Sequence, residues 1–242
     1  MITQVLLNGV VRVLTIAIIP ARGGSKRIKK KNIKSFLGRP MLEICISKLK
    51  STGVFSNIFV STDCAEITEV ARESGAEVPF TRNSQIADDY TDTRSVIIDG
   101  INRLEELGYI FNSVACIYPC IPLISVDQIK SINKMAEKNQ DGYTLPITAF
   151  PYPTQRALCL NNSNKIKMIY PEHYSSRSQD LIETYHDAGC MYFASKQVWK
   201  TEKMIFSPNS SGYSLPRYMV QDIDTPDDWE HAELLYKLQE NL

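Results

Sequence analysis

The chain has 242 residues, enough for one large α/β domain with a sizeable core or for two small domains. Lys and Arg together number 27, as do Asp and Glu, and this balance argues against a general nucleic-acid-binding protein. No apolar run reaches the roughly 18 residues of a membrane span, and the six cysteines show neither CxxC pairs nor zinc-finger spacing. We therefore expect a cytoplasmic protein with reduced thiols, and neither nucleic acid nor a membrane as its partner.

The first part of the chain is predicted to alternate strands and helices. Residues 1–13 are expected to form a loose N-terminal extension, and the apolar run Thr15–Pro20 then predicts a buried parallel strand. Further strands are predicted at 57–62, 77–80, 113–118 and 143–148, and helices at 40–50, 64–74, 92–107 and 125–138. Such alternation is typical of a mostly parallel, doubly wound, Rossmann-like α/β sheet, whose ligands bind beyond the carboxyl ends of the strands.

The pattern changes after residue 150, where the predicted strands become shorter and more polar. We expect an antiparallel insertion over about 150–215, with a hairpin turn at 161–164. This insertion is expected to cover the ligand crevice, and it is a candidate dimer contact. An amphipathic helix is predicted at 226–238. No repeat or low-complexity linker divides the chain, so residues 1–242 are interpreted as a single domain.

A glycine-rich, basic loop follows the first predicted strand directly. Its residues are Ala21, Arg22, Gly23, Gly24, Ser25, Lys26 and Arg27. Glycines let backbone N–H groups approach an anion closely, and the three cations can neutralise a triphosphate. The loop has neither the Walker A pattern nor the dinucleotide-binding pattern G-x-G-x-x-G. It predicts an anion site, for which a triphosphate is the favoured ligand, at the end of this strand.

Three aspartates are expected to lie beside the crevice. Asp63 ends the second predicted strand and precedes a helix, so we expect it to cap that helix rather than to bind a ligand. Asp222 and Asp224 stand at i and i+2 of an extended segment, which points both carboxylates the same way and lets them share a Mg²⁺. The alternative is that Asp224 or Thr225 merely caps the helix beginning near Pro226, although both roles are compatible.

The run from Ile18 to Arg27, followed by Lys31 and Asn32, resembles the signature of the acylneuraminate cytidylyltransferases, the enzymes that make CMP-sialic acids. The resemblance extends from about residue 16 to the C-terminal helix. It implies Mg²⁺ as cofactor, Asp222 and Asp224 as metal ligands, and a homodimer. The catalytic residues that it implies are Arg22, Lys26 and Asp222. The CTP-binding residues that it implies are Ala21, Arg22, Gly23, Gly24, Ser25, Lys26, Lys31, Asn32, Arg82 and Thr93.

The sugar-side segments 150–158, 177–181 and 185–189 look like the branch of this family that activates pseudaminic acid, a nine-carbon acidic sugar. The chain departs from the sialic-acid branch at Tyr118 and at 186–189. Arg156 and Arg177 are candidates for the sugar carboxylate, with structural salt bridges as the alternative. The sugar-binding residues that the resemblance implies are Tyr118, Gln155, Arg156, Arg177, Gln179, His186 and Tyr192.

The resemblance implies that the anomeric hydroxyl of the sugar attacks the α-phosphorus of CTP, giving a CMP-sugar and pyrophosphate. Asp222, through the metal or directly, would help to deprotonate that hydroxyl. One alternative is the same chemistry on N-acetylneuraminate, legionaminate or the eight-carbon acid of lipopolysaccharide. Two alternatives from other classes are a nucleotide-sugar glycosyltransferase and a non-catalytic nucleotide-binding module.

Overall fold

A computed structural model describes residues 6–7, 10–11, 14–201 and 204–240 of the chain. The strands are β1 Leu6–Leu7, β2 Val10–Val11, β3 Thr15–Pro20, β4 Ser35–Phe36, β5 Arg39–Pro40, β6 Phe55–Ser61, β7 Ser113–Ile117, β8 Thr144–Ala149, β9 Leu158–Leu160, β10 Ile166–Met168, β11 Tyr185–Asp187, β12 Met191–Ser195 and β13 Ser211–Ser214. The helices are α1 Met41–Thr52, α2 Ala65–Glu73, α3 Thr93–Glu106, α4 Val126–Lys138, α5 Lys196–Lys200 and α6 Pro226–Glu240.

A seven-stranded mixed sheet forms the centre of the molecule. β3 lies between β6 and β7 and runs parallel to both. β12 pairs antiparallel with β7 and with β8, and β13 adds to β8 in the parallel direction. The predicted fold, a mostly parallel α/β sheet, is confirmed.

Helices cover both faces of this sheet, so the side chains of β3 are buried on both sides. Ala17 and Ile19 pack in a cluster with apolar residues of α1, α2 and α4. Ile16 and Ile18 pack in a second cluster with residues of α3 and α5. Alternate residues of a strand point to opposite faces, so a continuous apolar run suits a strand in this position. The carboxyl ends of β3, β6 and β7 therefore open at one edge of a rigid core.

The predicted strand at 77–80 is reduced to two single bridges to the β6 segment. Phe59 pairs with Glu77, and Thr62 pairs with Thr81. Pro79 lies between the two bridges and has no N–H to donate, which prevents a regular ladder. The polypeptide nevertheless follows β6 closely enough to bring residues 81–82 to the sheet edge.

The segment predicted as an insertion divides into two parts. β9 and β10 form a separate antiparallel hairpin, whose turn is held by Asn161, the acceptor of the Ser163 and Lys165 N–H groups. By contrast, β11, β12 and β13 belong to the central sheet. The expected extension at residues 1–13 lies largely outside the described residues, apart from the pairing of β1 with β2. No described helix is long and apolar enough to cross a membrane.

Candidate active site

A cleft of about 520 Å³ opens at the carboxyl ends of β3 and β7. Its walls come from the loop after β3, the segment 82–93, the end of β7, the β11–β12 connection and the segment before α6. Ten of the predicted site residues line it together: Arg22, Ser25, Lys26, Lys31, Asn32, Arg82, Thr93, Tyr118, Asp222 and Asp224. The sheet thus unites residues that are up to about 200 positions apart in sequence.

The glycine-rich, basic loop after β3 is held to the neighbouring strand end by a hydrogen bond that the sequence does not reveal. The Gly23 N–H donates to Asp63 Oδ1 at 2.9 Å. The prediction that Asp63 caps the following helix is wrong, because Cys64 holds the N-cap position and no side chain caps α2. Asp63 reaches back to the loop instead, since the parallel pairing of β3 with β6 places the two strand ends side by side.

Two cations of the loop already have an anionic partner. Arg22 Nη1 lies 2.6 Å from Asp89 Oδ1 and also donates to the Asp88 carbonyl oxygen at 2.6 Å. Lys26 pairs with the same Asp89 carboxylate. These contacts hold the pKa of Asp89 below its usual range. The Asp89 carboxylate therefore occupies the position between the two cations that suits a phosphate oxygen.

The two carboxylates of the predicted metal site lie in different surroundings. Asp224 Oδ2 forms an ion pair with Arg27 Nη1 at 2.8 Å, and its Oδ1 lies 3.4 Å from Lys31 Nζ. Asp222 forms no ion pair with any described side chain, and desolvation, with the nearby Asp224 charge, raises its pKa. The predicted cap is confirmed at Thr225, whose Oγ1 accepts the Asp228 N–H at the start of α6.

The carboxylate oxygens of Asp222 and Asp224 are ligands of the type that a hard divalent cation prefers. Mg²⁺ takes oxygen ligands and is commonly held by one or two carboxylates together with substrate phosphates. The described residues contain no cluster of three or more His, Cys, Asp or Glu side chains that could hold a metal alone. A cation held by Asp222 and Asp224 would therefore need oxygens from a ligand or from water.

Arg82 is a buried cation in the wall of the cleft. Its side chain is 4% exposed, and Nε donates to Ser61 Oγ at 3.1 Å while Nη2 donates to the Ser61 carbonyl oxygen. Burial lowers its pKa, and within the described chain it has no ion-pair partner. A buried guanidinium has five N–H donors to satisfy, so Arg82 favours a ligand that offers acceptors.

Tyr118 lines the cleft, and Tyr192 packs against it without itself lining the cleft. The Tyr118 hydroxyl is hydrogen-bonded to Thr93 Oγ1, and burial raises its pKa to about 12. Its ring meets the ring of Tyr192 edge-on at 6.1 Å. The Tyr192 hydroxyl donates to Asp187 Oδ2 at 2.5 Å, and Asp187 Oδ1 accepts the Gly189 N–H at 2.9 Å. This network fixes the β11–β12 connection that lines the cleft.

Most of the predicted sugar-binding residues lie outside the cleft as it stands. Arg177 forms an ion pair with Asp180 at 2.7 Å, and Arg156 donates to Ser178 Oγ at 3.4 Å. His186 packs its ring against Phe150 at 4.8 Å. The predicted residues that do not line the cleft are Ala21, Gly23, Gly24, Gln155, Arg156, Arg177, Gln179, His186 and Tyr192.

Several lining residues were not predicted from the sequence. Gly189 belongs to the segment 185–189, but neither it nor Asp89 was assigned a role. Cys120 and Gln221 also line the cleft. The sequence carries no local signal that says which acid meets which cation of the loop.

The cytidylyltransferase family model matches residues 16–229 of this chain. A pseudaminic acid cytidylyltransferase from Campylobacter jejuni is 43% identical over 223 residues, which cover 92% of this chain and 96% of that protein. A CMP-N,N'-diacetyllegionaminic acid synthase from Legionella pneumophila is 29% identical and covers 93% and 97%. A CMP:2-keto-3-deoxy-manno-octonic acid synthetase solved with CTP has a TM-score of 0.69 at 15% identity, covering 95% of this chain and 100% of its own.

Proposed function

Because this chain belongs to the cytidylyltransferase family, we propose that it transfers CMP from CTP to pseudaminic acid, releasing pyrophosphate. The observation that carries the proposal is the composition of the cleft. A basic glycine-rich loop, a buried arginine without an ion pair and two carboxylates line one cavity. These groups match the triphosphate, the base and the metal of a nucleotide substrate. The choice of sugar follows the 43% identity to the C. jejuni protein.

The triphosphate is proposed to bind between Arg22 and Lys26. Both side chains project into the cleft, and their present partner, Asp89, must give way to the phosphate oxygens. Arg82 would donate to the acceptors of the cytosine edge, since it lines the same cavity and only its Nε and Nη2 donate to Ser61. Positioning and charge neutralisation then supply most of the rate acceleration, as in other phosphoryl transfers.

Mg²⁺ is proposed to be held by Asp222 and Asp224 together with phosphate oxygens. When bound, it would neutralise negative charge on the phosphates. Arg27 and Lys31, which now pair with Asp224, would be released toward the triphosphate.

The anomeric hydroxyl of the sugar is proposed to attack the α-phosphorus of CTP. The new bond joins that oxygen to the α-phosphorus, the bond from the α-phosphorus to the bridging oxygen breaks, and pyrophosphate leaves. Asp222 accepts the hydroxyl proton.

For the sugar carboxylate, Arg156 is the better of the two predicted cations. Arg177 is already paired with Asp180, whereas Arg156 forms no ion pair within the described part of the chain.

The protein is further proposed to work in the cytoplasm, consistent with described cysteines that are all free of disulfides. A homodimer is proposed as its working form.

The decisive experiment is pyrophosphate release by the purified chain with CTP, Mg²⁺ and a panel of acidic sugars. The panel contains pseudaminic, legionaminic, N-acetylneuraminic and the eight-carbon octulosonic acids, and mass spectrometry identifies each CMP-sugar. We expect the highest kcat/KM with pseudaminic acid. A higher value for another acid would reassign the substrate, and CTP binding without any product would indicate a non-catalytic module.

A further inference from the structure

Resting on the proposed CTP-binding function, we propose that Asp63 is a positioning residue that holds the phosphate loop, through the Gly23 amide, in the form that binds the triphosphate. The carboxylate is exposed, belongs to the residues just after β6 and does not line the cleft. Asp63 therefore acts on the ligand through the loop and not by contact.

The loop after β3 is held at alternate residues by the end of the neighbouring strand. The Ala21 N–H donates to the Ser61 carbonyl oxygen at 3.0 Å, which extends the β3–β6 ladder by one residue. Two residues on, the Gly23 N–H donates to Asp63 Oδ1 at 2.9 Å. The side chain of Asp63 thus supplies the next acceptor at the point where regular strand pairing ends.

A third tether acts on the residue between these two. Asn32 Nδ2 donates to the Arg22 carbonyl oxygen at 2.9 Å. With the amides on either side of it already held, the backbone of Arg22 is fixed on both sides, and its guanidinium is directed into the cleft toward Asp88 and Asp89. Removing the Asp63 acceptor would free the peptide next to the main phosphate-binding cation.

Glycine is required at position 23 by this close approach. A Cβ there would lie 2.9 Å from Cys64 Cβ, which is closer than real Cβ atoms come. A side chain at this position would therefore push the loop away from Asp63. The loop turns directly afterwards, where the Ser25 N–H donates to the Gly23 carbonyl oxygen at 3.0 Å.

Asp63 contributes to the site as a hydrogen-bond acceptor for the Gly23 N–H, and its negative charge is not required for this. A carboxylate beside a triphosphate site repels the ligand, although it also attracts the Arg82 guanidinium. Asparagine has a carbonyl oxygen that can accept the same hydrogen bond without the charge. Asp63→Asn and Asp63→Ala therefore separate the acceptor from the charge.

The test is calorimetric titration of CTP into the full chain without sugar. We expect Asp63→Ala to raise the Kd for CTP roughly tenfold, and Asp63→Asn to stay within about threefold of the wild type. At saturating CTP, the KM for the sugar should stay unchanged in both variants. Asp127→Ala, which removes an exposed aspartate on α4, serves as the control, and melting curves check that each variant is folded.

Gly23→Ala should disrupt the same hydrogen bond from the Gly23 N–H to Asp63. If Asp63 acts through the Gly23 amide, the double variant should lose no more CTP affinity than the worse of the two single variants. Fully additive losses would overturn the proposal, as would equal losses in Asp63→Ala and Asp63→Asn, or an Asp63→Ala protein that binds CTP like the wild type. Failure of the folded wild-type chain to bind CTP at all would overturn the proposed function itself, and this positioning role with it.

Discussion

Arg82 carries its charge in a buried position where no described carboxylate pairs with it. Such a group costs folding free energy unless its N–H donors are satisfied. We expect Arg82→Lys to raise the Kd for CTP by about ten- to a hundredfold, because an ammonium cannot reproduce the planar fork of donors. Calorimetry on the folded variant measures this. Arg72→Lys, which changes an exposed arginine that also donates to a backbone carbonyl, is the control.

Should Arg82→Lys bind CTP as tightly as the wild type, the guanidinium would have no part in recognising the nucleotide. Its hydrogen bonds to Ser61 would then be its whole role. A large fall in Tm together with unchanged CTP affinity would point the same way. The two readouts together therefore separate a ligand-binding arginine from a structural one.

Ionised Asp222 is expected to lower the free energy of unfolding when no Mg²⁺ is bound. Its folded pKa is raised above the unfolded value, so its ionisation costs folding free energy, and this cost appears as the pH rises through the folded pKa. Asp222→Asn should therefore raise Tm slightly at neutral pH without Mg²⁺, by about 2 °C at most for an exposed group. The difference should vanish below the unfolded pKa, where both proteins are neutral at this position.

The same substitution should reduce kcat at least a hundredfold, since it removes both a base and a metal ligand. Asp227→Asn, on the first turn of α6, is the matched control and should leave kcat unchanged. Full Mg²⁺-dependent turnover by Asp222→Asn would show that neither role belongs to this residue. A lower Tm at neutral pH would contradict the argument from burial.

At the scale of elements, we expect the loop before α3 to compete with CTP for Arg22 and Lys26. Asp88 Oδ1 accepts the Tyr90 and Thr91 N–H groups, and this turn presents Asp89 to Arg22 and Lys26. An exposed ion pair is worth up to about 1 kcal/mol. We therefore expect Asp89→Asn to lower the Kd for CTP by about three- to fivefold, as measured by calorimetry.

The control for this loop is Asp127→Asn, which breaks the exposed pair with Lys130 on α4 and should not change the Kd. Weaker CTP binding by Asp89→Asn would mean that Asp89 helps to hold the loaded site instead of blocking the empty one. The salt dependence provides a second check, because high ionic strength screens the Asp89 pairs and should narrow the gap between variant and wild type.

The elements that the sequence predicts well are those whose signals are local. The apolar run of β3 and the caps of α3 and α4, Asp92 and Ser125, lie within a few residues of the structure they specify. The place of β12 between β7 and β8 could not be predicted, because strand order depends on pairing between distant segments. The connection between β11 and β12 carries Gly189 in a left-handed conformation at φ 64°.

In the candidate site, too, features with a local sequence signal could be predicted and contacts between distant residues could not. Its basic loop follows a buried strand and carries its own pattern, so it could be predicted from sequence. The acidic partners could not be predicted, since Asp63 lies 40 positions from Gly23 and Asp89 lies 63 positions from Lys26. The position of Asp63 just before a helix predicts an N-cap. In the structure its side chain accepts the Gly23 N–H instead, a contact between distant parts of the chain that no local pattern predicts.

At the scale of the whole molecule, net charge carries little of the chemistry. Lys and Arg balance Asp and Glu across the chain, yet the cleft gathers side chains of both signs among its lining residues. Long-range attraction of an anionic substrate is therefore weak, and binding depends on the short-range contacts inside the cleft. Among the described residues, the β9–β10 hairpin also exposes an apolar surface.

One face of this hairpin is apolar and exposed. Leu160 pairs across the strands with Ile166, and Leu158 pairs with Met168, so their four side chains share a face. Leu158, Leu160 and Ile166 are 54%, 64% and 69% exposed. A two-stranded hairpin is at best marginally stable by itself in water, so this face needs a cover. We expect that cover to come from a second copy of the chain.

Sedimentation velocity at micromolar concentration should therefore show a dimer for the wild type. The double variant Leu160→Glu with Ile166→Glu should sediment as a monomer, because two buried carboxylates without partners would oppose association. Lys167→Glu changes the opposite face of β10, where Lys167 pairs with Cys159, and should leave the dimer intact. A monomeric wild type, or a double variant that remains dimeric, would exclude the hairpin as the interface. CTP binding by the monomeric variant should persist, since the residues proposed to bind CTP line a cleft that a single chain forms.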